Sequence, residues 1–175
     1  MAELWDIYDA NRTRTGGVAE RGVYIFKEGE YHIVVECIII NSKNEILISK
    51  RAAHKNNGLL WELNGGSILK GETSLQGIVR EIREELGIEV KEEEAIFFKY
   101  TKREKNPPNF KEFWLFRKDV NLEDITFPDG ESIEAKWVSI EEFNEMTKKG
   151  EIVPTTEFGV DDYNRAITML EEKEA

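Results

Sequence analysis

The chain has 175 residues, 40% of them hydrophobic, which predicts a single globular domain over residues 1–175 and argues against a disordered chain. Its net charge of −11, from 24 basic and 35 acidic residues, argues against nucleic acid polymers and anionic membranes as partners. The chain has one cysteine, no apolar run of about 18 residues and no secretory pattern at its N-terminus, so we expect a cytoplasmic protein.

Short apolar runs alternate with turn signals before residue 66. In chain order they predict an apolar segment at residues 4–8, a turn at 11–17, a hairpin of strands 32–40 and 45–49, and a short strand at 59–63. The last strand is followed by Gly65 and Gly66, and this pair of glycines predicts a tight backbone turn. Such a turn can present a carbonyl or an amide group to a metal ion or a phosphate.

Residues 73–86 predict the best-defined helix of the chain. Thr73 and Gln76 have the spacing of a capping box, and Gly87 suits a left-handed cap at the other end. One face of this helix carries the apolar side chains of Leu75, Ile78, Val79, Ile82 and Leu86. We expect this face to dock on the core.

The rest of the chain mixes strands with helices. The pattern predicts strands at 95–101, 112–117 and 134–138, a polar loop at 102–108, and helices at 140–148 and 160–172. A basic patch in this part of the chain is interpreted as a solvated hairpin loop, with phosphate binding as the alternative; it comprises Lys102, Arg103, Lys105 and Lys111. Together the elements predict an α/β (α+β) fold in which helices cover both faces of a sheet.

A second face of the helix at 73–86 carries Glu81, Glu84 and Glu85, which are neighbours because they lie three or four residues apart. Their mutual repulsion destabilises the helix, and the helix dipole adds to this effect near the C-terminal end. A divalent ion that prefers oxygen ligands, Mg²⁺ or Mn²⁺, would remove this conflict and would also attract a phosphate to an acidic protein. The alternative is a solvated acidic face.

The segment from Gly66 to Ile88 resembles the Nudix box. The box consists of a glycine, five residues, a glutamate, seven residues, Arg-Glu, an aliphatic residue, any residue, Glu-Glu, any residue, a glycine and an aliphatic residue. The chain matches every fixed position, with Gly66, Glu72, Arg80, Glu81, Ile82, Glu84, Glu85, Gly87 and Ile88. This resemblance implies the Nudix fold, a mixed β-sheet sandwiched between helices in an α-β-α arrangement. It also implies Mg²⁺- or Mn²⁺-dependent hydrolysis of a diphosphate linkage.

The resemblance implies metal-binding and catalytic roles for the acidic residues. The expected metal ligands are Glu81, Glu84, Glu85, a carbonyl of Gly65 and, outside the box, Glu131. Glu81 is our first choice for the general base that removes a proton from water, and Glu131 is the alternative.

Other residues are expected to support the site or to bind substrate. The resemblance implies an ion pair between Glu72 and Arg80, through which Arg80 orients the helix and its catalytic carboxylates. Gly87 is expected to support the end of the same helix. The candidates for substrate binding are Arg51, Lys70 and Gly66.

Two other functions remain open. Residues 5–9, 31–32 and 50–51 resemble the Nudix subgroup that contains isopentenyl diphosphate isomerase, but the cysteine of that enzyme is missing from residues 64–67. A non-catalytic Nudix module that binds a nucleotide is the second alternative, although such a module is expected to lose box glutamates. The expected partner is a small-molecule diphosphate, and a homodimer is compatible with the resemblance.

Overall fold

A computed structural model of the protein describes residues 1–105 and 107–175. Within them lie nine strands, β1 (Leu4–Tyr8), β2 (Arg14–Glu20), β3 (His32–Ile40), β4 (Ile46–Arg51), β5 (Trp61–Glu62), β6 (Gly65–Ser67), β7 (Ile96–Arg103), β8 (Asn109–Arg117) and β9 (Ser132–Val138). The three α-helices are α1 (Ser74–Leu86), α2 (Ile140–Lys148) and α3 (Val160–Glu174). No helix among these residues is both long and apolar enough to cross a membrane.

Strand β3 is the centre of a seven-stranded mixed sheet. It pairs in parallel with β8 along its whole length, and β7 lies antiparallel on the far side of β8. On its other side β3 pairs with β6, while β4 pairs with β5 and β9. In the described residues the predicted hairpin of β3 and β4 is paired only next to its turn, between Ile40 and Ile46. The hairpin prediction was therefore incomplete, because β6 occupies the edge of β3 that β4 would otherwise take.

Helices cover both faces of this sheet. On one face, Val35 and Ile39 of β3 pack with Ile78 and Ile82 of α1. On the opposite face, alternate residues of β3, β4 and β8 pack with α2 and α3; they include Ile38, Ile40, Ile48, Phe113 and Leu115. Because both faces of β3 are buried, its β-branched run is apolar at almost every position. The predicted α-β-α arrangement is confirmed.

The N-terminal residues form a separate two-stranded ribbon. The predicted turn at 11–17 was wrong from Arg14 onward, because β2 begins there and pairs antiparallel with β1. A small apolar cluster of Trp5, Ile7 and Ala19 is buried in this ribbon. Burial of these side chains outweighs the turn preference of two adjacent glycines.

Gly65 and Gly66 were predicted to form a tight turn, but they lie in β6. Their small size is required by close approach rather than by turn conformation. A Cβ atom added to Gly65 would lie 2.0 Å from the carbonyl oxygen of Val35. One added to Gly66 would lie 2.5 Å from a carboxylate oxygen of Glu81. These glycines therefore let the backbone pass between β3 and the acidic face of α1.

Other boundaries also differ from the predictions. The strand predicted at 59–63 comprises only Trp61–Glu62 in the structure. The polar loop predicted at 102–108 begins later, because β7 extends to Arg103. The part of that loop prediction at residue 106 lies outside the described residues. Strand β8 begins at Asn109, three residues earlier than predicted. Lys111 is consequently a buried strand residue, so its assignment to a solvated patch was wrong.

Candidate active site

Helix α1 carries the candidate catalytic residues and is capped at both ends as predicted. The Thr73 side chain accepts a hydrogen bond from the Gln76 amide, and the Gln76 side chain accepts one from the Thr73 amide. Gly87 has the left-handed conformation, with φ of 68°, and its amide donates to the carbonyl of Arg83. Capping at both ends stabilises the helix that carries these acidic side chains.

The loop before β9 docks on the C-terminal end of α1. The amide of Thr126 donates to the carbonyl of Leu86, and the amide of Asp129 donates to the carbonyl of Glu84. The loop lies so close that a Cβ atom on Gly87 would be 2.1 Å from the Thr126 hydroxyl oxygen. Gly87 therefore both caps α1 and admits the loop that carries Asp129.

Arg80 is the centre of an ion-pair network. Its Nε and Nη2 atoms donate to the two carboxylate oxygens of Glu72 at 2.8 and 3.0 Å. Its Nη1 atom donates to Glu81 at 2.8 Å and to Glu84 at 2.9 Å, and Nη2 also donates to the carbonyl of Ser67 at 3.0 Å. The geometry matches the predicted Arg80–Glu72 pair and places Arg80 between two candidate metal ligands.

Glu81 and Glu85 lie deeper than Glu84. Glu85 is 4% exposed and accepts a hydrogen bond of 3.0 Å from the Gly65 amide, whereas Glu84 is exposed. Burial raises the pKa of Glu81 to about 7, and it raises the pKa of Glu85 well above its usual range. Without a counter-ion these carboxylates hold protons readily, and a cation beside them would favour their charged forms.

One group of carboxylates among the described residues has the spacing of a cation site. Single oxygens of Glu85, Asp129 and Glu131 all lie within 4.8 Å of one another. Oxygen donors of this kind fit Mg²⁺ or Mn²⁺. The predicted ligands Glu85 and Glu131 are therefore brought together, while Glu81 and Glu84 meet at Arg80 instead.

Asp129 was missed in the sequence. It lies in the turn Phe127-Pro128-Asp129-Gly130 directly before Glu131, and its side chain accepts a hydrogen bond from the Glu131 amide. Burial raises the pKa of Asp129 above its usual value. The turn sequence was a signal for a loop, but the docking of that loop on α1 has no signature in the local sequence.

A cavity of about 750 Å³ runs past these carboxylates and is large enough for a small organic ligand. Gly66 and the predicted contact Lys70 line it, and Lys70 is exposed at its rim. Arg51 also lines it but is held by Glu62, to which it donates at 2.6 and 2.7 Å. Two further basic residues on the wall were not predicted: Arg21 from the N-terminal ribbon and Lys55, whose ammonium contacts Glu131.

The single cysteine does not line this cavity. Cys37 is 2% exposed, it packs in the core between β3 and α1, and burial raises the pKa of its thiol well above the usual value. These properties are those of a buried hydrophobic residue rather than a reactive thiol.

The chain is similar to known proteins in sequence and in structure. The sequence profile of the NUDIX domain matches residues 30–156. An uncharacterised Nudix hydrolase of Listeria monocytogenes is 37% identical over 155 residues, which cover 87% of this chain and 89% of that protein.

Solved structures show the same fold. A crystal structure from Deinococcus radiodurans superposes with a TM-score of 0.69 at 18% identity, covering 95% of this chain and 98% of the other. A NUDIX hydrolase from Nitrosomonas europaea superposes with a TM-score of 0.62 at 16% identity, covering 77% of this chain and 89% of the other.

Proposed function

The chain belongs to the Nudix hydrolase family, and from this premise we propose that it hydrolyses the diphosphate linkage of a nucleoside diphosphate derivative or a similar small organic diphosphate, with Mg²⁺ or Mn²⁺ as cofactor. The observation that carries the proposal is the meeting of Glu85, Asp129 and Glu131 in a cavity that is also lined by basic side chains. Acidic groups suit a cation, and basic groups suit the phosphates.

The residues that would hold the metal are Glu85, Asp129 and Glu131, whose oxygens already lie close together. The box glutamates Glu81 and Glu84 stand beside this group as further candidates, and the Gly65 carbonyl remains a predicted ligand. When bound, a divalent ion lowers the pKa of a coordinated water and neutralises charge on the diphosphate.

Glu81 is proposed as the general base. Its carboxylate lines the same cavity as Glu85, Asp129 and Glu131, where a metal-bound water would be held. Arg80 holds the Glu81 carboxylate through a hydrogen bond of 2.8 Å and so acts as a positioning residue. Glu131 is the alternative base, since it is more exposed and lines the same cavity.

Basic side chains are proposed to bind the diphosphate. Lys55 and Lys70 line the cavity near the carboxylates, and their charge complements phosphate oxygens in an otherwise acidic protein. Arg51 is braced by Glu62, so its guanidinium keeps a fixed orientation toward the cavity. Gly66 contributes space, because a side chain there would displace the Glu81 carboxylate.

The test compares Glu81→Gln and Glu85→Gln with the control Glu89→Gln, which changes an exposed glutamate just beyond α1. Each variant is assayed with Mg²⁺ on a panel of nucleoside diphosphate derivatives, and products are identified by mass spectrometry. We expect kcat to fall by roughly 10²- to 10⁴-fold in the two site variants and to be unchanged in the control.

The possible results separate the alternatives. Wild-type turnover in both site variants would show that the site is elsewhere. Loss in Glu85→Gln alone would move the base from Glu81 to another carboxylate, with Glu131→Gln as the next variant. Nucleotide binding by the wild-type protein without release of any product would favour the non-catalytic module.

A further inference from the structure

A buried ion pair lies in the middle of the sheet, between β3 and β8. Glu36 of β3 and Lys111 of β8 are 7% and 6% exposed, and the Lys111 ammonium lies 2.5 Å from Glu36 Oε2. Lys111 also donates to the carbonyl of Thr155 at 3.0 Å. The charges are paired, but both have been removed from water, which costs several kcal/mol per ion.

The pair is incomplete on the Glu36 side. Within the described part of the chain, Glu36 Oε1 is buried and has no hydrogen-bond partner. Lys111 uses two of the three donors that an ammonium carries. A buried carboxylate oxygen with no partner is costly and needs an explanation, such as a ligand that the site is built to receive.

A small cavity lies directly at this pair. It measures about 130 Å³, and its polar lining comprises Glu36, Glu62, Lys111, Thr155 and Thr156; both carboxylate oxygens of Glu62 accept from Arg51. This volume holds roughly four water molecules, so it accommodates one edge of a planar ring rather than a whole nucleotide. Leu63 and Val153 add apolar walls that suit the faces of such a ring.

The small cavity adjoins the candidate active site. Val34 and Gly65 line both the small cavity and the larger one. The same Gly65 donates its amide to Glu85, so one short strand separates the two regions. A substrate whose diphosphate lies near Glu85 can therefore extend around β6 into the small cavity.

We propose that this cavity binds the amino-substituted edge of the substrate's base, with Glu36 Oε1 accepting from an exocyclic amino group and Lys111 donating to the acceptor beside it. A carboxylate oxygen only accepts, so an amino group complements it, whereas a carbonyl in that position would bring two acceptors together. This inference rests on the proposed function, because it assigns a substrate class to the same active site.

The experiment uses base pairs that differ in an amino or a carbonyl group at one ring position: cytosine against uracil, and adenine against hypoxanthine. Hydrolysis of matched nucleoside diphosphate derivatives is measured for the wild-type protein. We expect kcat/KM to be roughly ten- to a hundredfold higher for the amino member, the range of a hydrogen bond to a charged partner.

The variant Glu36→Gln tests whether this residue discriminates between the bases. Its oxygen can still accept from Lys111, which turns the amide N–H₂ toward the cavity, so the preference should disappear or reverse toward uracil. The matched control is Glu112→Gln, which changes a buried glutamate of the neighbouring strand that pairs with Arg12 and does not line the small cavity. The control should keep the wild-type preference.

Calorimetric binding of cytidine and uridine to the metal-free wild-type protein gives a second measurement that needs neither hydrolysis nor a folded variant. Tighter binding of cytidine supports the inference even if no nucleotide is cleaved, which would overturn only the proposed function. Equal binding and equal turnover within each pair would mean that the cavity holds water alone and would overturn the inference. A preference that persists in Glu36→Gln would overturn it as well.

Discussion

Two charged groups of this protein, the half-buried Arg80 and the buried Glu36–Lys111 pair, differ in how completely their hydrogen-bonding groups are satisfied. Arg80 makes five hydrogen bonds, one for each N–H of its guanidinium. The Glu36–Lys111 pair leaves one carboxylate oxygen without a partner among the residues that the structure describes. The first group is closed to further bonds, and the second is open to a ligand.

The difference separates positioning from binding. A saturated network fixes the carboxylates of Glu72 and Glu81, and the Arg80 guanidinium has no donor left for a ligand. An unsaturated pair beside a cavity has bonding capacity that the folded protein does not use. Substitution of Arg80 should therefore mainly lower the stability of the protein. Substitution of Glu36 should mainly change which substrates it prefers.

The largest expected effect on stability comes from Arg80→Ala. The change leaves the partly buried carboxylates of Glu72 and Glu81 without their shared cation, so the free energy of unfolding should fall by about 3–5 kcal/mol. Urea denaturation at pH 7 measures it. Arg83→Ala, which removes an exposed arginine of the same helix, is the control and should change stability by less than about 0.5 kcal/mol. An equally small loss in both variants would mean that the Arg80 network is not structural.

His32 is a buried polar group whose ring has no hydrogen-bond partner among the described residues. Its ring stacks on Trp5, with centroids 4.2 Å apart, and both of its nitrogens lack a partner within residues 1–105 and 107–175. Burial lowers the pKa of His32 from 6.5 to about 4, with a smaller contribution from Arg21. Glu36 is a buried charge that Lys111 pairs, whereas His32 avoids the cost of a buried charge by staying neutral.

The lowered pKa of His32 makes stability depend on pH. Between pH 6.5 and 4 the unfolded state binds a proton that the folded state does not, so the stability is present above pH 6.5 and is lost as the pH falls toward 4. The full contribution is about 3 kcal/mol, of which about 2 kcal/mol is lost between pH 7 and pH 5. Urea denaturation of the wild type and His32→Phe at both pH values isolates this term. Parallel pH profiles would show that His32 is charged or solvated in the folded protein.

The closed network could be predicted from the sequence because its signals are local. Thr73, Gln76 and Gly87 mark the ends of α1, and the fixed spacing of Glu72, Arg80 and Glu81 identifies the box. The helix caps follow from local spacing, whereas the ion pair of Glu72 with Arg80 was implied by the resemblance to the box, because Glu72 lies before the helix. The α-β-α arrangement followed from the same order of apolar runs and helices.

The open pair and the loop carboxylate could not be predicted because they depend on contacts between distant segments. Lys111 was assigned to a solvated patch, and only the parallel register of β8 against β3 brings it to Glu36. Asp129 reaches Glu85 only through the docking of its loop on the end of α1. Charged residues in a local stretch of sequence favour an exposed position. The pairing of Lys111 with Glu36 across the sheet overrides that preference.

The smallest expected effect on stability is that of replacing the open pair as a whole, by Glu36→Leu together with Lys111→Met. Both charges disappear, so neither is left unpaired, and the free energy of unfolding should stay within about 1 kcal/mol of the wild type or rise by about 1–4 kcal/mol. Lys111→Met alone buries an uncompensated carboxylate and should cost about 3–5 kcal/mol. Urea denaturation of the wild type, the single variant and the double variant at pH 7 compares their stabilities.

If the double variant loses as much stability as the single one, the pair serves the fold in the same way as Arg80, and its open oxygen marks a packing defect instead of a binding site. If the double variant is as stable as the wild type while losing discrimination between cytosine and uracil substrates, the pair is retained at a cost in stability for what it binds.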